Sequence, residues 1–440
     1  MEQLELFVDR RSLFEKLYSI EFLYEGFRAV KKNKGAPGID GVTIKDYEAD
    51  LDNNLRQLSE ELKKWQYKPS PVLRVEIPKP GKNAGVRLLG IPCVRDRVVQ
   101  AALKLILEPI LDPIFSDSSY GFRPKRNQRQ AVEAAQRIIK TGKEYVVDID
   151  LSKFFDRIHH DRLIFRLSQH VSDKRILRII GMTLRSGVMK DGLYSPTDEG
   201  TVQGGPLSPL LSNVVLDELD KELEKRGLEF CRFADDCNIF VSSPKAAQRV
   251  MNSISKFIST KLKLVVNREK SKMALSKYVK FLGMTIIAGT IAISVVSMNR
   301  AMAKVKELTP RGTHITLEET LRKINTWYMG WSQYYLMTQY PSQLSKLEAH
   351  VRRRLRSQII GQQKRRRHLF NKLIKRGLSR SYAANTVYNN DGRWAISGKF
   401  AMAKAYSVPW FINQMGQYIR SDQSMSNPHW FSPNQWIRMT

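Results

Sequence analysis

Two stretches, Tyr145-Val-Val-Asp-Ile-Asp-Leu151 and Cys231-Arg-Phe-Ala-Asp-Asp-Cys-Asn-Ile-Phe-Val241, decide how the chain reads. Each is a short run rich in β-branched or aromatic residues, the composition of a core strand. Each also carries acid where a core strand should have none: Asp150 near the end of the first run, Asp235-Asp236 inside the second. A carboxylate in apolar surroundings is costly without a counter-charge. A divalent cation supplies one, and a hard cation such as Mg²⁺ takes oxygen ligands and holds substrate phosphates as well. Two such ions about 3.5–4 Å apart activate an attacking hydroxyl and stabilise a leaving oxygen. Adjacent strands carrying Asp150 and Asp235 would build that site. An isolated Asp-Asp pair is more often a turn or a solvated strand end, so the surrounding motifs must decide.

Working outward, a third strand is expected near Tyr278 to Ile286, which makes residues 145–300 an α+β unit with a small sheet. Upstream, residues 12–33 and 44–66 read as helices around a Gly/Pro loop, residues 72–77 alternate like a strand, and Val98 to Leu111 reads as a buried helix. After residue 315, Leu317, Leu321, Ile324, Tyr328, Trp331 and Tyr335 recur at helical spacing. The Trp/Tyr stripe from 327 to 335 is mainly core packing on this reading. Residues 352–380 then hold twelve Lys/Arg and no Asp or Glu.

The chain has 440 residues, 42% of them hydrophobic, enough for more than one core. Lys and Arg number 73 against 43 Asp and Glu, a net charge of +30 that calls for a polyanionic partner. No run of 18 apolar residues exists and the N-terminus lacks the pattern of a secretory signal, so no membrane partner is expected. Cys93, Cys231 and Cys237 are odd in number and without CxxC spacing, against a disulfide framework or zinc site and in favour of a reducing cytoplasm.

Eight blocks in order resemble the group II intron reverse transcriptases, also called intron maturases. They are KKNKGAPGIDGVT (31–43), RLLGIPCVRDRVVQAAL (87–103), SYGFRPKRN (119–127), VDIDLSKFFDRIHHDRL (147–163), QGGPLSPLLSNVVLDELD (203–220), CRFADDCNIF (231–240), LKLVVNREKSK (262–272) and KFLGMTI (280–286). INTWYMGWSQYY (324–335) and HVRRRLRSQI (350–359) resemble the family's thumb, or maturase, domain. The likeness runs from about residue 20 to 400. Two departures stand out: Phe233 replaces the commoner Tyr, and the tail lacks the Cys/His pattern of an HNH nuclease.

The resemblance implies an α+β right-hand polymerase: fingers over 1–144, a palm with a small antiparallel sheet over 145–300, a helical thumb over 301–380, and a small basic C-terminal module over 381–440. It implies a bacterial RNA-directed DNA polymerase that takes an RNA template, a DNA or RNA primer and deoxynucleoside triphosphates, and that binds group II intron RNA to assist splicing. A repair or phage-defence polymerase and a non-catalytic splicing factor are the alternatives. Two Mg²⁺ ions, with Mn²⁺ as substitute, fall to Asp150, Asp235 and Asp236, with Leu151 beside them; Asp148 is read as supporting. Phe155 becomes the steric gate against a 2′-hydroxyl, and Phe154 a core residue. Lys79 and Arg87 bind the triphosphate, while Lys82 reads as a solvated loop charge. Gln203 and Gly204 pack against the nucleotide, and Lys270 lies near the departing pyrophosphate. His160-Asp161 is read as a helix start. Arg123, Arg352, Arg353, Arg356, Lys364, Arg365 and Arg366 are assigned to nucleic acid. Because Leu347, Val351 and Leu355 occupy the apolar side of their helix, Arg352, Arg353 and Arg356 are expected to meet solvent or phosphate.

Overall fold

Ser19 and Asp50 break the two helical stretches of the N-terminal region into four. α1 (Leu13–Tyr18) opens on a capping box at Ser12, α2 (Ile20–Asn33) is capped by Ser19, α3 (Ile44–Ala49) opens on a capping box at Thr43, and α4 (Leu51–Lys63) follows Asp50. The computed structural model describes residues 11–78, 85–190, 192–197, 199–201, 204–310, 312, 314–411 and 413. It divides into two units, Met1–Val279 and Lys280–Thr440, a boundary inside the 145–300 stretch.

In the first unit, Leu23, Phe27 and Val30 of α2 are buried, and α2 lies against α5 (Val94–Leu111). A Cβ on Gly26 would come 2.7 Å from the Val98 carbonyl, so this approach requires glycine. Burying a side chain such as Leu23 or Phe27 contributes roughly 1.5–3 kcal/mol. β1 (Val72–Pro78) runs antiparallel to β2 (Val86–Ile91) and parallel to β4 (Val188–Lys190), which turns into β5 (Leu193–Ser195); the order is β2-β1-β4-β5.

The second sheet of this unit carries the acids. β3 (Tyr145–Ile149) lies between β7 (Asp236–Val241) and β8 (Lys272–Leu275), and β6 (Glu229–Phe233) flanks β7. Val147, Ile149, Ile239 and Val241 face a core shared with α9 (Ser208–Lys225) and α10 (Pro244–Phe257). α6 (Gln128–Lys140) packs on β6, while α7 (His160–Ser168) and α8 (Lys174–Leu184) follow β3. The expected third strand is therefore displaced. Its place beside β3 belongs to β8, and the apolar run 284–287 forms a separate hairpin in the second unit.

That hairpin is β9 (Met284–Ile287) and β10 (Thr290–Ile293). Gln339 and Gln343 cover its outer edge: their side-chain oxygens accept from the N–H groups of Ile291 and Ile293 at 2.9 and 2.8 Å. α11 (Val295–Leu308), α12 (Leu317–Tyr335), α13 (Pro341–Gly361) and α14 (Arg366–Lys375) build one core with α15 (Arg380–Val387), α16 (Arg393–Gly398) and α17 (Phe400–Ala405). The described residues beyond 381 thus share the core of α11–α14 and do not form a separate module; those beyond 413 lie outside the described residues. Trp327, Trp331 and Tyr335 form a ladder with ring centres 5.9 and 4.6 Å apart, the two tryptophans half-buried against this core. Among the described residues no helix is long and apolar enough to cross a membrane.

Candidate active site

Alternation along β3 turns Val147 and Ile149 into the core and leaves Asp148 and Asp150 on the opposite face. Ile149 pairs with Cys237, so the next step of the register sets Asp150 against Asp236. Asp150 is fixed through its backbone: its N–H donates to Ser271 Oγ at 3.0 Å, and its carbonyl accepts from Asn267 N–H at 2.8 Å. Asp235 sits in the two-residue turn between β6 and β7, since Phe233 pairs with Asp236. The turn places Ala234 in the left-handed region at φ 57°.

Burial holds the Asp235 carboxyl above its ordinary range, and the nearby charge of Asp150 pushes the same way. Arg87 and Arg232 pull against this, so Arg87 on β2 also reaches the site. Lys270 Nζ lies 3.9 Å from Asp150 Oδ2. The structure therefore brings Asp150, Asp235, Arg87 and Lys270 together, with Asp236 exposed at the start of β7. The hydrogen bonds joining residues 150–152 to 265–267 use Ser152 N–H and the Asp150 carbonyl, not the Leu151 carbonyl. Among the described residues no set of three or more Asp, Glu, His or Cys side chains stands ready to hold a metal ion.

Phe154 and Phe155 open a 3-10 turn (Phe154–Arg157) and differ in burial: Phe154 is buried, while Phe155 is half-buried, with ring centres 5.1 Å apart. The Phe155 carbonyl accepts from Thr201 N–H at 2.7 Å. Gly204 lies against β2; a Cβ there would meet the Gly90 carbonyl at 2.5 Å. Lys79, Lys82 and Gln203 lie outside the described residues. His160 opens α7, and its Nε2 is 2.7 Å from the Gly200 carbonyl; burial pushes its pKa down.

Two expectations about cations are corrected. Arg123 is buried, with Nε donating to Asp112 Oδ1 at 2.7 Å and the rest of the fork donating to the carbonyls of Asp112, Ser116 and Ser119. It pins the 112–119 loop and has little left for a phosphate. Arg352, Arg353 and Arg356 do not form a solvent face either. Arg352 pairs with Glu348 at 3.7 Å, Arg353 lies 4.2 Å over the Trp394 ring, and Arg356 Nε donates to the Tyr406 carbonyl at 3.1 Å. Burial, with Arg352's charge added, pulls the Arg356 pKa down to about 10. The side of α13 opposite Leu347, Val351 and Leu355 is covered by aromatic residues from 394–411, whose placement sequence spacing does not reveal. Lys364, Arg365 and Arg366 are exposed.

Sequence reasoning missed the residues under the turn. Arg232 is fully buried and donates to Asp220 through Nε at 2.7 Å and Nη2 at 2.5 Å. Breaking a buried pair of this kind costs about 3–5 kcal/mol. The available signal was an arginine in the middle of an apolar strand, which demands a buried acid somewhere.

Comparison with known proteins fits this arrangement. Residues 77–286 match the family described as "Reverse transcriptase (RNA-dependent DNA polymerase)", and residues 298–376 the "Group II intron, maturase-specific domain". The chain belongs to the group II intron reverse transcriptase/maturase family. Among this family member's relatives, Protein YkfC of Escherichia coli (strain K12) is 33% identical over 293 residues, covering 58% of this chain and 76% of YkfC. The group II intron-encoded protein LtrA of Lactococcus lactis subsp. cremoris is 32% identical over 266 residues, covering 60% of this chain but 42% of LtrA. The alignment thus spans less than half of LtrA. Among solved structures, apo telomerase from Candida tropicalis aligns at TM-score 0.42 with 15% identity, over 54% of this chain and 59% of that one. A chain of a partial Cas6-RT-Cas1–Cas2 complex aligns at 0.38 with 24% identity, over 58% and 44%.

Proposed function

We propose that this chain is an RNA-directed DNA polymerase that extends a DNA or RNA primer on an RNA template with deoxynucleoside triphosphates. The observation that carries the reading is the approach of Asp150, just past the end of β3, to Asp235 in the β6–β7 turn, with the cations of Arg87 and Lys270 beside them. A carboxyl pushed up by burial and by a second acid is what an added divalent cation would relieve. Few side-chain ligands suit Mg²⁺, which is often bound by one or two carboxylates plus substrate phosphates and water. Asp150, Asp235, Asp236 and the Leu151 carbonyl would hold two Mg²⁺, or Mn²⁺ in their place, which supply activation of the primer hydroxyl and charge for the leaving pyrophosphate.

The chain's own residues do the rest. Arg87 offers a forked donor to the triphosphate; Lys79, which flanks the same Gly-containing loop, and Gln203, by its block, are assigned to the same nucleotide. Phe155 stands under the sugar and excludes a 2′-hydroxyl by volume. Lys270 steadies negative charge on the departing pyrophosphate. The exposed cations Lys364, Arg365 and Arg366 serve group II intron RNA, the partner implied by the maturase-specific segment.

The test is primer extension on an RNA template with Mg²⁺ and deoxynucleotides. Asp150→Asn and Asp235→Asn should lose extension and keep RNA affinity. Extension at wild-type rate by either variant would remove that residue from the site.

A further inference from the structure

Asp235 stands in a two-residue turn, and such a turn has only its own backbone to hold it unless the surroundings fix it. We infer that Arg232, Asp220 and Asn213 are positioning residues that fix the Ala234–Asp235 turn for nucleotidyl transfer, an inference that rests on reading Asp235 as a catalytic carboxylate.

The contacts close into a ring. Arg232 Nε and Nη2 are taken by Asp220. The remaining nitrogen, Nη1, donates to Asn213 Oδ1 and to the Ala234 carbonyl, each at 3.0 Å. Asn213 Nδ2 in turn donates to the Gly121 carbonyl at 2.9 Å. Gly121 lies directly on the turn, where a Cβ would come 2.2 Å from Ala234 N. The backbone of Arg232 is held as well: its N–H donates to the Ser118 carbonyl, and its carbonyl accepts from Tyr120 N–H, both at 2.9 Å. Arg232, Asp220 and Asn213 are each 0% exposed.

Such closure has a use here. Ala234 sits in a region unfavourable to an L-residue, and strain of this kind persists only where neighbours over-determine it. Asp220 orients the guanidinium, Asn213 ties it to the 119–122 loop, and the guanidinium holds the turn by its carbonyl. Asn213 and Asp220 are seven residues apart on α9, close to two full turns, and so share a face. The same helix starts just after Gly204 and Gly205. One rigid element thus runs from the glycine loop assigned to the nucleotide to the support of the acid turn.

A buried ion pair can serve packing alone, and then apolar residues of similar volume replace it without loss of stability. The test uses that fact. Two variants of the full chain are compared with wild type: Arg232→Met/Asp220→Leu, which fills the space without charge, and Arg232→Lys, which keeps the charge and gives up the fork. Amide hydrogen exchange over residues 233–237 is read by mass spectrometry, alongside thermal melting and primer extension. The double variant should melt near wild type and Arg232→Lys lower but still folded, each with exchange at the turn about tenfold faster and the other strands of the sheet unchanged. The extension rate at saturating deoxynucleotide should fall about 100-fold, with KM within about threefold. Should the double variant fail to fold, Arg232→Lys carries the comparison. Wild-type exchange at the turn, or a wild-type maximal rate in a folded variant, overturns the inference. A wild-type chain that extends no primer overturns the polymerase reading instead, and the exchange data still judge the ring.

Discussion

Lys270 Nζ stands 3.9 Å from Asp150 Oδ2, an ammonium beside one of the two acids that share the site. Lys270 is 64% exposed, so the pair is weak and screened. It nevertheless competes with any cation that approaches Asp150. Lys270→Gln should therefore lower the Mg²⁺ concentration needed for half-maximal extension. The maximal rate should drop roughly tenfold, because charge on the leaving pyrophosphate loses a partner. A Mg²⁺ titration of primer extension reads both, and an unchanged curve would place Lys270 outside the reaction.

Phe155 is half-buried beside the fully buried Phe154, so its ring has a free side to present. Phe155→Val should raise the ratio of ribo- to deoxynucleotide incorporation ~10- to 100-fold, the range of steric discrimination in an apolar pocket. Single-nucleotide incorporation assays with each sugar measure the ratio. Phe154→Val should change stability and leave the ratio alone.

Gly121 offers a sharper probe of the turn than its charged neighbours do. The 2.2 Å gap to Ala234 N leaves no room for a methyl group, and the obstacle is backbone. Gly121→Ala should cost extension about 100-fold while RNA binding persists. Near-normal extension would show that the turn can shift without penalty.

Asp217 titrates against the fold. Burial, reinforced by the charge of Asp220, pushes its carboxyl from 3.8 up to about 6, and its Oδ1 is buried without a partner. The folded state holds this proton more tightly than the unfolded chain does. Its contribution to stability is therefore present at pH below 3.8 and lost as pH rises through about 6. Asp217→Asn should stabilise the protein by ~1–3 kcal/mol at pH 7.5, with the gain fading towards pH 4. Urea melts at the two pH values decide this; equal gains at both would mean the charge is not responsible.

The basic segment splits into two classes with opposite readouts. Replacing the exposed Lys364, Arg365 and Arg366 with Gln should reduce the slope of log RNA affinity against log salt by roughly two to three units. The same change at Arg352, Arg353 and Arg356 should lower the melting temperature and leave the slope unaltered, because their guanidinium groups are engaged with Glu348, Trp394 and Tyr406. A reduced slope in the second set would mean those contacts open on binding.

What could be read from the sequence follows a physical line. Strand runs with misplaced acid are visible because alternation and composition are local, and the structure sets Asp150 and Asp235 near each other as that pattern requires. The division of Phe154 from Phe155 comes from the family resemblance and not from any local pattern. Partnership across the fold is not. Residues 284–287 look like the stronger strand, yet β8 sits beside β3, because pairing depends on what lies alongside and not on the run itself. Arg353 and Arg356 look like a solvated face, since nothing nearby in sequence announces that Trp394, Tyr406 and Phe411 will cover them, whereas Arg352's partner Glu348 stands one helical turn upstream. Arg123 misleads for the same reason: its acceptors are mostly main-chain carbonyls, which composition cannot show.

The stretch from Gly204 to Asp220 has a consequence for how the gene can vary in length. Each residue added to a helix rotates everything after it by about 100°. One codon inserted or deleted between Asn213 and Asp220 would swing the Asp220 carboxylate away from Arg232 and leave a guanidinium buried alone. Substitutions at the exposed end of α9, at Lys221, Glu224 and Lys225, are cheap by comparison, and loops elsewhere can lengthen at little entropic cost. Most residues from Ser208 to Asp220 are buried, so here the count of residues is constrained along with their identities, and a library of single-codon insertions should show the stretch as a gap.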